Sequence, residues 1–239
     1  MRINYNYIKV GALLLLVVFL CAFSYERNSA RKVSDPEIKF IGDDNLFVTH
    51  TTVSKLLIVN NASVANTPKE IIDLNLLEVA LNSNEMIKNA QVFMNVDGLI
   101  TAEIEQKKPI ARISTNASYY IDDEGNYMPL SSNYTARVPL VTGFIEKNKL
   151  SAVYEVAMKV QSDAFLTRNV VEIHQNQNGT IDLKFRGHDF TIHLGRTNLM
   201  DKKINNLKAF YKKAMKDSML DAYSLINLKF DKQVICTKK

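Results

Sequence analysis

Few residues of this chain have the types and spacing that a catalytic site requires. Ser29 and Lys32 form an S-x-x-K sequence, in which a lysine can activate a serine nucleophile. Acyl-transfer enzymes built on that sequence also carry K-T-G, which this chain lacks. Because both residues lie in a short polar segment after a long apolar run, we interpret the S-x-x-K sequence as a chance match.

The histidines and acidic residues are weak indications of a metal or acid–base site. Glu172 and His174 would share one face of a strand, and an exposed pair explains them. The run Asp122-Asp123-Glu124 could hold calcium, although a hairpin with Gly125 in its left-handed position explains it more simply. The four histidines lie in no H-E-x-x-H sequence: His50, His174, His188 and His193. We therefore expect no catalytic residue, no metal, no cofactor and no enzyme activity.

A single apolar run near the N-terminus predicts a transmembrane helix over residues 10–25. The run is short for a membrane span, but Lys9 can extend its charged end to the interface, and tyrosines on both flanks are typical of an interfacial belt. Residues 1–9 are then a cytoplasmic tail, and residues 26–34 are a linker to an exported body. Ala22-Phe23-Ser24 also has the form of a signal-peptidase site, so a cleaved secretory signal is the alternative.

The charge distribution argues against nucleic acid as a partner. Residues 1–34 carry five basic and one acidic side chain and so account for +4 of the net charge of +5. The remaining body is nearly neutral and lacks the positive charge that binding to nucleic acid requires. Residues 199–239 are locally cationic, with ten basic and four acidic side chains. A solvated lysine face explains this excess, and a site for an acidic partner is the alternative.

The patterns after Pro36 begin with a strand followed by two helices. Ile38 and Phe40 predict an edge strand, and Thr49 or Thr51 can cap the helix that follows. The stretch Asn75-Leu76-Leu77-Glu78 has the spacing of a capping box, which predicts the start of the second helix. That helix ends near Asn82-Ser83-Asn84, and we expect three of its residues to face the core: Leu76, Val79 and Ala80.

A β-hairpin comes next and completes a β-α-α-β-β order. Residues 90–96 and 100–104 alternate between apolar and polar side chains, and Asp97-Gly98 supplies a turn between them. This order after one N-terminal span is similar to that of a POTRA domain, the polypeptide-transport-associated module.

The second half of the chain predicts a β-rich domain with two helices. Apolar stripes over residues 150–164 and 200–214 indicate the helices. Three short alternating runs between them predict a meander: residues 170–174, 180–185 and 189–194. Residues 225–230 and 233–236 add the last strands, joined or bent at Asp231-Lys232. A terminal strand can form a free sheet edge, which is a site where a partner strand can dock.

Five short segments, in order, resemble the FtsQ/DivIB cell-division family. Gln106 to Ala111 stands where that family has an E-x-x-P-x-A strand end, and Tyr120 to Gly125 stands where it has a D-x-x-G hairpin. Val138 to Gly143 corresponds to its P-L-x-T-G segment. Leu194-Gly195-Arg196 corresponds to the start of its long helix, and Leu228 to Asp231 corresponds to its final strand. The resemblance covers residues 8–237. Gln106 departs from the family, which has an acidic residue there, and residues 60–68 form a long insertion between the helices.

The resemblance implies an α+β fold with one N-terminal transmembrane helix and two exported domains. We place a POTRA domain at residues 35–113 and an FtsQ-type β-domain at residues 114–239. The implied protein is a bitopic scaffold of the divisome in the bacterial inner membrane, with its body in the periplasm at the division septum.

By the same resemblance, the partners are the coiled-coil division proteins of the FtsB and FtsL type, and the protein helps to control septal peptidoglycan synthesis. No nucleic acid or small-molecule substrate is expected. The terminal strand would bind by β-augmentation with Phe230 as its anchor, although Phe230 could instead belong to the core. The predicted contact residues are Tyr223, Leu228, Lys229, Phe230, Asp231, Lys232, Gln233, Val234 and Ile235. A POTRA-bearing transport or assembly factor and a secreted cell-wall enzyme are the alternatives.

Overall fold

A computed structural model of the chain describes residues 5–29, 32–43, 45–59, 62–63, 67–115, 117–145, 150–230 and 233–239. The chain forms two compact units, Met1–Gln106 and Lys107–Lys239. The predicted α+β class is confirmed, since an N-terminal apolar helix is followed by a mixed α/β unit and then by a β-rich unit.

Helix α1 (Tyr5–Ser29) contains the predicted span and continues beyond it on both sides. The apolar side chains from Val10 to Phe23 are exposed, as expected of a helix whose surroundings are lipid. Residues 9–28 are long and apolar enough to cross a membrane, a criterion that a signal sequence also meets. The predicted linker at 26–34 is therefore partly helical, because the polar residues after Tyr25 extend α1 to Ser29.

The first unit contains a three-stranded sheet in the order β1-β5-β4. Strand β1 (Glu37–Ile41) is the predicted edge strand and lies parallel to β5 (Ile100–Gln106), while β4 (Ile87–Met94) pairs antiparallel with β5. The predicted hairpin is confirmed, with Met94 opposite Ile100. Strands β2 (Ile58–Val59) and β3 (Ala62–Ser63) form a separate small hairpin.

Two helices connect β1 to β4. Helix α2 (His50–Leu56) is capped by Thr49, whose hydroxyl accepts the N–H of Thr52 at 3.2 Å. Helix α3 (Leu74–Asn82) is capped by Asp73, and not through the capping box predicted at Asn75–Glu78. A short 3-10 turn, Lys69–Ile71, precedes α3.

The predicted inward face of α3 is wrong. Leu77 and Leu81 are buried, whereas Leu76 and Val79 are each 65% exposed and Ala80 is only partly buried. The cap at Asp73 fixes where the helix starts, and the stripe that then faces the sheet consists of residues 77 and 81. Leu76 and Val79 lie on the opposite side of the helix.

Gln106, the departure from the family pattern, is buried at the end of β5. Its Oε1 accepts the backbone N–H groups of Phe47 and Val48, at 2.9 and 3.0 Å, and its Nε2 donates to the carbonyl of Val48 at 2.9 Å. An acidic side chain in the same place could accept both N–H groups but could not donate to the carbonyl when ionised. The amide therefore fixes the loop after β1 with three hydrogen bonds.

The second unit contains a nine-stranded sheet in the order β14-β13-β12-β11-β10-β9-β6-β7-β8. The bounds of these strands are β6 (Pro109–Ser114), β7 (Ser118–Asp122), β8 (Tyr127–Met128), β9 (Leu140–Gly143), β10 (Val170–Gln175), β11 (Ile181–Phe185), β12 (Thr191–Gly195), β13 (Tyr223–Asn227) and β14 (Ile235–Lys238). The predicted meander is β10-β11-β12. Strand β9 runs parallel to both β6 and β10, and β12 runs parallel to β13.

Three helices pack with one face of this sheet: α4 (Ser151–Ser162), α5 (Ala164–Asn169) and α6 (Met200–Lys216). The predicted stripes supply their buried residues, including Val153 and Val160 in α4 and Ile204 and Leu207 in α6. These side chains form one apolar cluster with strand residues such as Ile173. The core of the second unit therefore lies between the helices and one sheet face.

The structure divides the two units earlier than the predicted boundary between residues 113 and 114. Strand β6 pairs with β7 and β9, so residues 109–113 belong to the second sheet. The sequence pattern did not distinguish this strand from an extension of the preceding hairpin, because β5 and β6 are both apolar and separated by only two residues.

Candidate interaction edge of the second sheet

The acidic run at residues 122–124 is part of a hairpin. Asp122 is buried, and its Oδ1 accepts the backbone N–H groups of Glu124 at 3.1 Å and Asn126 at 2.7 Å. Gly125 adopts φ +83°, the left-handed conformation expected of a glycine at that position. Among the residues that the structure describes, no group of three or more His, Cys, Asp or Glu side chains could hold a metal ion.

Glu172 and His174 belong to a polar network across β9, β10 and β11. The Thr142 hydroxyl lies 2.7 Å from a Glu172 carboxylate oxygen and 2.8 Å from His174 Nδ1. Burial would raise the pKa of Glu172, but hydrogen bonds from Lys184 and Thr142 outweigh it and hold that pKa below the usual value. A carboxylate with a lowered pKa is a weak proton acceptor at neutral pH, so this network has the properties of a structural cross-link.

Strand β14 forms one edge of the nine-stranded sheet. Among the residues that the structure describes, β14 pairs only with β13, antiparallel, with Ile226 opposite Cys236 and Asn227 opposite Ile235. Strand β13 begins two residues and ends three residues before the segment predicted at residues 225–230, and β14 lies two residues further along the chain than the segment predicted at residues 233–236. The predicted free edge is therefore present, four residues long.

The direction of the backbone groups in β14 follows from one hydrogen bond. The N–H of Lys239 donates to the carbonyl of Ala222 at 2.9 Å, and thus points toward β13. Backbone groups alternate in direction along a strand, so those of Thr237 and Ile235 also point toward β13. The N–H and carbonyl of Cys236 and the N–H of Lys238 point away from the sheet, whereas the carbonyl of Lys238 lies near the Ser224 hydroxyl of β13. These outward groups are the donors and acceptors that an added strand would use.

A bulge in β13 lies opposite the C-terminal end of β14. The register shifts between Tyr223 and Leu225, and the extra residue lies in β13. The hydroxyl of Ser224 lies 3.3 Å from the carbonyl oxygens of both Thr237 and Lys238. Sequence reasoning missed Ser224, and alternation of apolar residues could not have revealed it, since a bulge is defined by the partner strand.

Two large apolar side chains are exposed near this edge. Phe230 is 43% exposed and Ile235 is 42% exposed, whereas Val234 is partly buried against the core. The alternative in which Phe230 is a core residue is therefore wrong. Gln233 and Lys229 are exposed as well.

Two of the predicted contact residues have structural roles. Leu228 is 1% exposed, and its N–H donates to the carbonyl of His193 at 2.9 Å, so its side chain belongs to the core. Tyr223 is half-buried and packs edge-on against Phe210 of α6, with 5.5 Å between ring centroids. Asp231 and Lys232 lie outside the described residues.

Positive charge borders the loop that joins the two last strands. Lys229 lines a cleft of about 500 Å³ together with Arg196 and Lys203. Strands β12 and β13 are parallel, so their carboxyl ends meet at the same side of the sheet. The cleft lies at that side, where α6 begins. Lys203 is buried there and donates to the carbonyl of Arg196 at 2.7 Å.

Burial raises the pKa of the Cys236 thiol above its usual value. Cys236 and Cys21 are both free. The arrangement as a whole offers backbone pairing, two apolar contacts and nearby cations, and these are the requirements for binding a strand of another protein.

Comparison with protein families shows which family the chain belongs to. The model of the family described as FtsQ/DivIB, C-terminal related, matches residues 108–237, which is more than half of the chain. The chain belongs to the FtsQ/DivIB family. A POTRA-like domain model matches residues 41–105, in the first unit. A search of curated proteins finds no significant match.

Membership of the FtsQ/DivIB family confirms the resemblance and the fold predicted from the sequence. Proteins of this family are non-enzymatic scaffolds of cell division, so a scaffold role in division follows for this chain. The N-terminal apolar helix supports single-pass membrane anchoring. The matched region includes the whole of β13 and all but the last residue of β14.

Proposed function

We propose that this FtsQ/DivIB protein is a bitopic divisome scaffold that holds FtsB- and FtsL-type proteins in the periplasm and so helps to control septal peptidoglycan synthesis. Helix α1 is its anchor in the inner membrane, and both folded units lie on the periplasmic side at the division septum. The partner binds by adding a strand to β14.

The single observation that supports this proposal best is the open edge of β14. Cys236 directs its N–H and carbonyl away from the sheet, and Lys238 directs its N–H away, as deduced from the Lys239 and Ser224 hydrogen bonds. Main-chain hydrogen bonds to the outward N–H and carbonyl groups of β14 contribute affinity that does not depend on the sequence of the partner.

Side chains near the edge supply the specificity. Phe230 and Ile235 are exposed apolar contacts of the kind that carry much of the energy of an interface. Lys229 and Arg196 add positive charge beside them, which favours a partner segment that carries acidic residues. Gln233 and Val234 continue the same surface toward β14.

Co-purification of the full-length chain with FtsB and FtsL homologues tests this proposal. The tagged chain would be co-expressed with both homologues, solubilised in a mild detergent and captured. Phe230→Ala and Ile235→Ala should each reduce the partner recovered about tenfold, because truncation of a central apolar anchor costs on the order of 1.4 kcal/mol or more.

Phe93→Ala is the matched control, since Phe93 is a comparably exposed phenylalanine, 41%, in the first unit. It should leave recovery unchanged, and circular dichroism should show all three variants folded. Full recovery with both Phe230→Ala and Ile235→Ala would contradict binding at this edge.

Depletion in cells tests the wider role. Loss of the protein should give filaments with segregated chromosomes and no septa, and a fluorescently tagged chain should concentrate at mid-cell. Normal division after verified depletion would contradict a role in septum formation.

A further inference from the structure

A second surface of the β-rich unit has the properties of a ligand site that the interaction edge does not use. It is a cleft of about 350 Å³, within the usual range for ligand pockets. It lies where the parallel strands β6, β9 and β10 begin, next to the end of α4. Six of its ten lining residues are apolar: Ile110, Val138, Pro139, Val160, Val170 and Val171.

The floor of this cleft belongs to the folded core. Ile110, Val160 and Val170 are each at least 95% buried and are members of the main apolar cluster. The floor is therefore held in shape by the packing of the whole unit, and an aliphatic group placed on it would lose contact with water at little cost in ordering.

Two arginines line the same cleft. Arg137 and Arg186 are both exposed, and no carboxylate is among the lining residues. Within the described part of the chain, neither guanidinium makes an ion pair. Two guanidinium groups beside an apolar floor are suited to a carboxylate that is attached to an aliphatic group.

The backbone holds both arginines in place. The N–H of Arg186 donates to the carbonyl of Asn169 at 2.8 Å. The residues that flank Arg137 are also hydrogen-bonded. The N–H of Ala136 donates to the Tyr120 hydroxyl at 3.1 Å. The carbonyl of Pro139 accepts from the N–H of Arg112 at 2.9 Å.

The end of α4 would oppose an anion if its last carbonyl groups were free, because they carry the negative end of the helix dipole. Thr167 removes much of this effect. Its hydroxyl donates to the carbonyl of Val160 at 2.6 Å and lies 3.4 Å from that of Gln161.

We propose that this cleft binds the C-terminal carboxylate of a peptide whose last residue is aliphatic. The carboxylate pairs with Arg137 and Arg186, and the aliphatic side chain lies on the floor formed by Val160 and Val170. The remaining polar wall, Gln161 and Thr167, faces the peptide backbone. A fatty acid would fit less well, because its chain offers no hydrogen-bonding group to that polar wall.

Binding to short labelled peptides tests the site in the full-length protein, held in lipid nanodiscs. Four fluorescein-labelled peptides that end in Ala, Val, Leu or Ile, each with a free carboxylate, would be titrated by fluorescence anisotropy. Their C-terminal amides would be titrated alongside. At least one free-carboxylate peptide should bind, and its amide should bind about tenfold more weakly.

Arg137→Gln and Arg186→Gln should each weaken that binding about tenfold, because each removes a charged hydrogen-bond donor. Arg168→Gln is the matched control, since Arg168 is an exposed arginine of α5 that does not line the cleft, and it should change binding less than about twofold. Circular dichroism would verify the fold of each variant.

Three results would overturn the proposal. They are no binding of any free-carboxylate peptide, equal binding of peptide and amide, and unchanged binding in both Arg137→Gln and Arg186→Gln. Octanoate is a further probe, and displacement of the peptide by octanoate at equal concentration would assign the site to fatty acids instead.

Discussion

Edge strand β4 of the first sheet is covered by side chains, whereas edge strand β14 of the second sheet is open. In the first unit, the edge strand β4 is covered by side chains of α3. Asn82 accepts the N–H of Ala90 at 2.9 Å and donates to its carbonyl at 3.1 Å, and Glu78 accepts the N–H of Val92 at 3.1 Å. In the second unit, the outward backbone groups of β14 have no such cover from the residues that the structure describes.

This difference distinguishes a covered edge from the edge at which we propose that a partner binds. An uncovered strand edge is a hazard, since it can pair with any other exposed strand, and proteins protect most of their edges. The helix α3 lies beside β4 and provides that protection through two polar residues. The partner strand that we propose would give β14 the cover that α3 gives to β4.

Asn82→Ala should have the largest effect, because it uncovers the protected edge. It leaves both backbone groups of Ala90 without their partners, and we expect a loss of about 2 kcal/mol in the free energy of unfolding of the first unit. Asn75→Ala, on the exposed side of α3, should cost less than about 0.5 kcal/mol. Urea denaturation of the two variants makes the comparison, and equal losses would mean that cover of the edge contributes nothing.

Cys236→Pro should have the next largest effect and should act on binding alone. Proline removes one outward N–H group, which β13 does not use, so we expect unchanged stability and about tenfold weaker recovery of the FtsB and FtsL homologues. Cys236→Val keeps the N–H group and is the control for loss of the thiol. Recovery that is equal for the two variants would exclude pairing through the main chain of β14.

Acidification should destabilise the second unit. Burial would raise the pKa of Asp163, but its hydrogen bonds from Lys208 and from the N–H groups of Leu166 and Phe165 hold that pKa below the usual value, as occurs for Glu172. A lowered folded-state pKa gives stability that is present above the unfolded value, about 4, and is lost as the pH falls through the folded value.

Lys208→Met should remove part of this pH dependence. Loss of the Lys208–Asp163 ion pair should cost about 1 kcal/mol near neutral pH and less below pH 4. Unfolding of the second unit, followed by near-ultraviolet circular dichroism between about pH 7 and pH 2, measures both effects. A cost that does not change with pH would show that the pair does not set the pKa of Asp163.

Amide hydrogen exchange should give the smallest but most local difference. The N–H groups of Cys236 and Lys238 should exchange quickly, whereas those of Ala90 and Val92 should be protected by Asn82 and Glu78. Addition of the FtsB and FtsL homologues should slow exchange of the Cys236 and Lys238 N–H groups and leave exchange at Ala90 and Val92 unchanged. Protection of Cys236 and Lys238 in the free protein would mean that β14 is already covered.

The sequence was sufficient for the order of elements, since periodicity and turn residues report them directly. It failed where several apolar residues stand in a row. In α3, residues Leu76 and Leu77 are equally apolar, and local spacing does not show which of them is buried. Packing of the helix beside β4 determines it, with Glu78 and Asn82 bonded to that strand and Leu77 buried.

The candidate site was predictable in position but not in detail. The alternation of residues 225–236 indicated a terminal edge, and the residues near Phe230 were part of the resemblance. Which groups of β14 point outward depends on the bulge at Ser224, and the burial of Leu228 depends on its bond to His193. Contacts between distant segments set both features, and local sequence does not encode them.

Strand β9 has a consequence for the time course of folding. It is the only strand in the described ranges that joins the β6–β8 side of the second sheet to the β10–β14 side, and it pairs in parallel with both neighbours. Parallel pairing between distant segments closes long loops before it gains contacts, which makes it slow.

Gly143 restricts this step further. It ends β9 with φ +94°, and a Cβ there would lie 2.1 Å from the carbonyl oxygen of Gln175. The two sides of the sheet therefore join only when β9 fits closely against β10, and we expect this event to limit the rate of folding. Until it is complete, the newly made protein has two partial sheets with extra open edges, and during that interval it is most prone to aggregation.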